Sequence, residues 1–148
     1  MRILLLATLF AALAGPALAE TRYVNARFGY AICIPDGLAG QGEADNGDGQ
    51  RFVADDGAEL IVYGAHNALD ETLAARREAT LERLGPASYR AGGRDWFVVS
   101  GRAGERIYYV RTTLRRGVFT SFELTYPDAA AARWNAAAAD LSRCFTAR

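Results

Sequence analysis

Four apolar segments joined by very short turns limit what this chain can fold into. The segments are 87–91, 94–101, 105–114 and 118–126. The turns between them contain Gly92-Gly93, Gly104 and Gly117. Connections this short can join only antiparallel neighbours, since parallel strands need a crossover of a dozen or more residues. The second half of the chain therefore predicts an antiparallel meander.

Several of these strands are apolar on both faces. In the stretch 95–101, Trp96 and Val98 point one way while Phe97 and Val99 point the other. The stretch 60–63, Leu-Ile-Val-Tyr, has the same character. Strands of this kind lie in a sheet that is covered on both sides. Something must therefore pack on each face of the predicted meander.

The first half of the chain adds more strands. Residues 27–35 alternate, with Phe28, Tyr30, Ile32 and Ile34 on one face, and Pro35 ends the strand. Asp55-Asp56-Gly57 separates two further apolar runs, and Asp-Gly in such a place is a strong hairpin signal. Residues 36–49 contain many glycines and few apolar side chains, which predicts a mobile loop.

Two segments predict helices that can cover the sheet. In 70–85, Asp70 and Glu71 suit the N-terminal end and Gly85-Pro86 ends the helix. Its apolar stripe is Leu69, Leu73, Leu81 and Leu84. The second helix, 128–145, has the stripe Trp134, Ala138, Leu141 and Phe145. The predicted fold class is α+β, with an antiparallel sheet of about six or seven strands (a hairpin plus a meander) between two helices, an α/β/α sandwich.

The first nineteen residues predict a secretory signal peptide. Arg2 precedes an apolar run from Ile3 to Leu13, Gly15-Pro16 follows, and small residues lead to cleavage between Ala19 and Glu20. The run is too short to cross a bilayer comfortably, which takes ~20 apolar residues. We therefore expect residues 20–148 to form a single globular domain, periplasmic or secreted, with no membrane span in the mature form.

The two cysteines lie near opposite ends of the predicted mature chain. Exported thiols meet an oxidising environment, so a disulfide between Cys33 and Cys144 is the expected state. Two free buried thiols remain the main alternative, since no Cys-x-x-Cys motif is present to indicate a redox pair.

The order of the elements and several short motifs resemble the Mog1/PsbP-like α/β/α fold. The matching parts are the opening strand 28–35, the Asp56-Gly57 hairpin, the closing Tyr126-Pro127, and the last helix ending at 141–145. The resemblance spans residues 28–145. It implies the fold of exported bacterial proteins and photosynthetic lumenal subunits, many of which are accessory or assembly proteins without catalytic activity.

The acidic stretch 43–60 raises the question of a calcium site. Asp45, Asn46 and Asp48 are its candidate ligands, but aligning Gly49 with the EF-hand glycine places Ala44 at the first ligand position. We favour a solvated loop leading into the hairpin, with calcium or small-ligand binding as an alternative function.

Catalytic signals are weak. His66 follows a strand and precedes the first helix, but no serine has a Gly-x-Ser-x-Gly context, and a single histidine does not make a zinc site. No phosphate-binding loop or dinucleotide motif is present. We expect no cofactor and no enzyme activity, with a hydrolase centred on His66 as the least favoured function.

The remaining candidate is a surface for an unknown partner, an envelope protein or a ligand. Arg106, Arg111, Tyr108 and Tyr109 combine the two side chains that protein interfaces favour, and arginine can also hold an anion. Arginines that keep sheet edges from pairing with other chains are the alternative interpretation. Since 17 basic residues balance 17 acidic ones, a nucleic-acid partner is not expected. The function predicted is that of a non-catalytic exported accessory or binding protein.

Overall fold

An antiparallel sheet is the centre of the computed structural model, which describes residues 21–148. The strands are β1 Thr21–Asn25, β2 Tyr30–Ile34, β3 Ala39–Glu43, β4 Gly49–Val53, β5 Glu59–His66, β6 Ala87–Gly92, β7 Trp96–Ala103, β8 Arg106–Arg115, β9 Val118–Pro127 and β10 Thr146–Ala147. The helices are α1 Leu73–Leu84 and α2 Ala131–Cys144, the latter preceded by a 3₁₀ turn, Asp128–Ala130. The predicted signal peptide 1–19 and its cleavage site, Ala19 and Glu20, lie outside the described residues.

Seven of these strands form the main sheet, in the order β3-β4-β5-β9-β8-β7-β6, and all neighbours are antiparallel. The smaller sheet has the order β1-β2-β10. The predicted meander is confirmed, because β6 to β9 follow one another in the sheet. The α+β class with helices on both faces is confirmed as well.

The central strand β9 is buried on both faces. Phe122 and Leu124 face α2 and are fully buried, while Phe119 and Glu123 face α1 and are almost fully buried. The Glu123 carboxylate is bound by the Arg83 guanidinium of α1, with Nη1–Oε1 at 3.1 Å and Nη2–Oε2 at 2.6 Å. This bidentate ion pair connects the C-terminal end of α1 to the central strand of the sheet.

The two helices cover different halves of the sheet. On one face, α1 packs its leucines against Phe97, Val99, Tyr108 and Val110 of β7 and β8. On the other face, α2 and the small sheet pack over β4, β5 and β9 in a larger cluster that includes Trp134. Apart from the buried Val98, the side chains on the α2 side of β6 and β7 and on the α1 side of β4 and β5 are consequently exposed or partly exposed.

The expectation of a mobile loop over 36–49 was wrong. Residues 39–43 form β3, which pairs with β4, and the acidic residues 44–48 form the turn between them. Every residue of β3 is exposed, so the strand carries none of the apolar alternation by which strands are recognised. The predicted strand 27–35 forms β2, which belongs to the small sheet and not to the main one.

The first helix begins later than predicted. Thr72 is its N-cap, and the Thr72 hydroxyl accepts a hydrogen bond from the Ala75 N–H at 3.1 Å. Asp70 lies before the helix with a positive φ of 50°, and Leu69 is 92% exposed rather than part of the apolar stripe. Neither helix of residues 21–148 has the length and apolar character required to span a membrane.

The apolar stripe of the last helix is confirmed, and its anchor is Trp134. The indole is fully buried and donates to Asp56 Oδ2 at 2.9 Å. The other oxygen of Asp56 accepts the Ala58 N–H at 3.1 Å, and Arg133 also pairs with the carboxylate. The Asp-Gly hairpin is therefore fastened to α2, and the indole hydrogen bond holds the pKa of Asp56 below its usual range.

Cys33 of β2 and Cys144, the last residue of α2, form a disulfide, with their Cα atoms 5.8 Å apart. The bond joins the small sheet to α2 and closes a loop with a sequence separation of 111 residues.

We expect the double substitution Cys33→Ser/Cys144→Ser to lower the free energy of unfolding by about 2–4 kcal/mol, since a long loop loses its covalent closure. Urea denaturation of the oxidised wild type, the reduced wild type and the variant measures this. The reduced wild type should match the variant. Equal midpoints for all three samples would contradict the prediction.

Asp56→Asn should lower the free energy of unfolding by about 1–3 kcal/mol, because the amide has one acceptor oxygen where the carboxylate uses two. Asp55→Asn, at an exposed neighbour, is the matched control and should change it by less than about 0.5 kcal/mol.

This difference should depend on pH. A carboxyl whose folded-state pKa is depressed stabilises the fold above its unfolded pKa of about 3.9. The stabilisation is lost as the pH falls through the lower folded-state value. The gap between wild type and Asp56→Asn should therefore be constant near neutrality and shrink below about pH 4. A gap that widens on acidification would show that the charge of Asp56 does not stabilise the fold.

Candidate functional site

A groove lies between α2 and the uncovered side of β6 to β8. We call it the tyrosine groove. It has a volume of about 320 Å³, and its lining residues are Tyr89, Ser100, Tyr109, Tyr126, Asn135, Ala138 and Ala139. The strands supply one wall, because alternation brings Tyr89 of β6 opposite Ser100 of β7, and Ser100 opposite Tyr109 of β8. The other wall is formed by α2, where the short side chains of Ala138 and Ala139 leave space for the groove.

The tyrosines of the groove are held to different degrees. Tyr109 stacks on Phe122 with ring centroids 5.8 Å apart and an interplanar angle of 12°. Tyr126 is buried and donates its hydroxyl to Asn135 Oδ1 at 2.7 Å, and burial raises its pKa. Tyr89 is 55% exposed on the outer strand. The groove therefore has a rigid floor and one free aromatic side chain at its rim.

Arg111 follows Tyr109 along the same face of β8. It is opposite Phe122 of β9, as strand alternation predicts. Its Nη1 donates to Ser142 Oγ of α2 at 3.0 Å, and its Cζ lies 4.6 Å from the centroid of the Trp96 ring. Since Ser142 is one turn beyond Ala138 and Ala139, Arg111 lies along the direction of the tyrosine groove.

The guanidinium of Arg111 has no acidic partner among residues 21–148. The neighbouring carboxylate, Asp95, pairs with Arg115 at 2.6 Å. The buried Nε of Arg111 has no hydrogen-bond partner in the described part of the chain. Burial lowers the pKa of Arg111, but an arginine remains charged at neutral pH. A half-buried positive charge without a carboxylate is suited to bind an acceptor on another molecule.

The other two predicted members of this surface face the opposite side of the sheet. Tyr108 is fully buried and donates its hydroxyl to the Gly85 carbonyl at 2.9 Å, so it belongs to the core under α1. Arg106 donates to the Gly57 carbonyl at 2.9 Å and to Thr125 Oγ1 at 3.1 Å. Because neighbouring residues of a strand point in opposite directions, the four residues do not form one surface.

The acidic turn is bound to the small sheet. Arg27 Nη1 lies 2.9 Å from Asp48 Oδ1, and Asn46 Nδ2 donates to Asp48 Oδ2 at 2.6 Å. Glu43 Oε1 accepts from the Tyr23 hydroxyl at 2.9 Å and from Asn25 Nδ2 at 3.1 Å. The Asp48 carboxylate is therefore paired with the Arg27 guanidinium, and this ion pair competes with calcium binding at Asp48.

The other calcium candidate, Asp45, is exposed. Within residues 21–148, no three side chains of His, Cys, Asp or Glu are grouped so as to hold a metal ion. The bonds of Asp48 and Glu43 to the small sheet give the acidic turn a structural role.

His66 is exposed at the end of β5, with its ring 5.1 Å from the ring of Phe28. Across the described chain its imidazole forms no hydrogen bond or ion pair with a nucleophile or carboxylate side chain. The arrangement required for a nucleophile and its base is therefore not assembled at this position.

Tyr89, Trp96, Asn135 and Ser142 contribute to the site but were not identified from the sequence. The first two are on the predicted meander, and their face follows from alternation once β6 and β7 are paired. The last two are polar residues of α2, Asn135 three positions before Ala138 of the stripe and Ser142 four positions after it. Only the packing angle of α2 shows that they meet the strands.

Comparison with known proteins gives a likeness of fold. No protein-family model matches the chain, and no curated protein matches it significantly. Among solved structures, the chain is similar to the cyanobacterial PsbP (CyanoP) of Synechocystis sp. PCC 6803, with 16% identity and a TM-score of 0.66, over 93% of this chain and 98% of that one.

The Ran-binding protein Mog1p of Saccharomyces cerevisiae is similar at 11% identity and a TM-score of 0.58, over 86% of this chain and 95% of that one. A protein of Bacteroides thetaiotaomicron VPI-5482 matches at 10% identity and a TM-score of 0.55, over 87% of this chain and 48% of that one. The resemblance seen in the opening strand, the hairpin and the last helix is thereby confirmed: the chain has the Mog1/PsbP-like fold.

Proposed function

We propose that the protein is an exported, non-catalytic accessory protein that binds another protein through the tyrosine groove. The observation that carries this function is the lining of the groove. Tyrosine is enriched at protein interfaces, while the small side chains of α2 leave room for a partner. The half-buried Arg111 lies beside the groove with no acidic partner among residues 21–148, and it supplies a charge that a partner can neutralise.

The fold likeness supports a binding role, because one of the similar structures, Mog1p, is a Ran-binding protein. Export is supported by the signal-peptide pattern of residues 1–19 and by the Cys33–Cys144 disulfide, which suits an oxidising compartment. A periplasmic or secreted protein of this kind would act beside a component of the envelope.

The test is crosslinking in cells that express the tagged full chain, followed by pull-down and identification of the partner by mass spectrometry. One dominant protein should be captured. The double substitution Tyr89→Ser/Arg111→Ser should abolish its capture, because it removes the exposed aromatic side chain of the groove and the unneutralised charge of Arg111 beside it.

Arg106→Ser is the matched control, since it removes the same type of side chain from the opposite face of the sheet. Thermal melting should first show that each variant is folded. If the partner is still captured by Tyr89→Ser/Arg111→Ser, or if capture is lost equally in Arg106→Ser, the tyrosine groove is not the binding surface.

A further inference from the structure

The outer strand β6 has a free edge. Within residues 21–148 it pairs with β7 on one side only. The Gly93 N–H donates to the Trp96 carbonyl at 2.9 Å, so Gly93 and Trp96 are a hydrogen-bonded pair of the β6–β7 ladder. Since bonded and non-bonded pairs alternate in an antiparallel ladder, the backbone groups of Arg90 and Gly92 point away from β7. These groups can pair with an added strand.

A second cavity borders β6 on the α1 side of the sheet. We call it the arginine cavity. It has a volume of about 520 Å³, and its lining includes Arg77, Arg90 and Arg94 but no acidic side chain. Arg77 pairs with Glu78 at 3.2 Å, while neither Arg90 nor Arg94 belongs to an ion pair within the described residues. The cavity therefore has positive charge that nearby side chains do not neutralise.

The edge of β6 thus has cavities of different chemistry on its two sides. Arg90 is opposite Val99 and faces the arginine cavity, whereas Tyr89 is opposite Ser100 and faces the tyrosine groove. A strand added beside β6 would lie about 4.8 Å away, with successive side chains directed to the two faces in turn. One set of its side chains would meet arginines, and the other set would meet tyrosines.

We propose that β6 binds an extended segment of a protein partner in which acidic residues alternate with aromatic or aliphatic ones. The carboxylates enter the arginine cavity, and the apolar side chains lie on Tyr89 in the tyrosine groove. Backbone pairing with Arg90 and Gly92 supplies the register, as in other cases of strand addition. The inference rests on the proposed function, because it states the chemistry of the segment that the protein binds.

Charge complementarity favours this occupant. A guanidinium binds a carboxylate through two parallel hydrogen bonds, so Arg90 and Arg94 select acidic side chains over neutral ones. The formal net charge of the chain is zero, so the positive charge at this edge is a local feature of the surface.

The test is a selection from displayed random peptides of about eight residues, long enough for one strand, against the purified protein expressed from the full chain. Enriched peptides should carry Asp or Glu at alternate positions with apolar residues between them. The dissociation constant of a selected peptide should rise by about tenfold or more in Arg90→Ser/Arg94→Ser. N-methylation of the peptide at alternate residues should abolish binding, because it removes the N–H groups that pair with β6.

The matched control is Arg22→Ser/Arg143→Ser, which removes the same charge from exposed positions away from β6. It should leave the dissociation constant unchanged. A parallel measurement uses vesicles that contain phosphatidylglycerol, and these should not bind.

Three outcomes would overturn the proposal. The selected peptides could lack alternating acidic residues and bind Arg90→Ser/Arg94→Ser as tightly as the wild type. That result would be compatible with peptide binding at the tyrosine groove but would contradict the proposal of an acidic strand. Vesicle binding that is lost in the same variant would assign the arginines to lipid headgroups. Failure to enrich any peptide would mean that Arg90 and Arg94 serve to keep this edge from pairing. The proposed function is judged separately, by capture in cells.

Discussion

The burial of β9 on both faces is the constraint on which the rest of the structure depends. Its long pairing with β5 and β8 places it in the middle of seven strands, so that each face of the sheet needs a cover. Strands are about 4.8 Å apart, so the sheet is roughly 29 Å wide, whereas a helix is about 10 Å across. One helix covers about two or three strands. Part of each face must therefore stay open unless something else packs there.

The two open parts differ in how their polar groups are satisfied. On the α1 side of β4 and β5, Arg51 pairs with Glu59 at 2.7 Å, Arg83 pairs with Glu123, and Arg106 donates to neighbouring oxygens close to Glu59. The arginines of this open part therefore lie beside carboxylates of the same face. On the α2 side, the open strands present Tyr89, Trp96 and the half-buried Arg111, whose charge is not matched by an acid in the described chain. This contrast is the reason for assigning binding to the tyrosine groove.

Strongly patterned elements could be predicted from the sequence. The meander and the apolar stripe of α2 follow from alternation or helical spacing in segments whose burial is one-sided or complete. The strands β1, β3 and β10 could not be found in this way. Every residue of β3 is exposed, and β10 has two residues, so their positions are set by backbone pairing and not by side-chain pattern.

The structure divides the predicted Arg/Tyr surface between the two faces of the sheet. Arg106, Tyr108, Tyr109 and Arg111 were grouped because they are close along the chain, yet alternation alone places the even-numbered and odd-numbered members on opposite faces. Asn135 and Ser142 required the packed position of α2, which no local pattern specifies. Calcium binding stayed open as an alternative for the acidic turn because the sequence does not show that Arg27 and Asn25 reach it across the small sheet.

The claim that the tyrosine groove is the binding surface is tested most directly by site-specific photocrosslinking in cells. A photoreactive phenylalanine would replace Tyr89 in one strain and Arg51, on the open part of the opposite face, in another. The account predicts an adduct with one protein from position 89 and none from position 51. An adduct from position 51 alone would place the partner on the other face of the sheet and contradict the account.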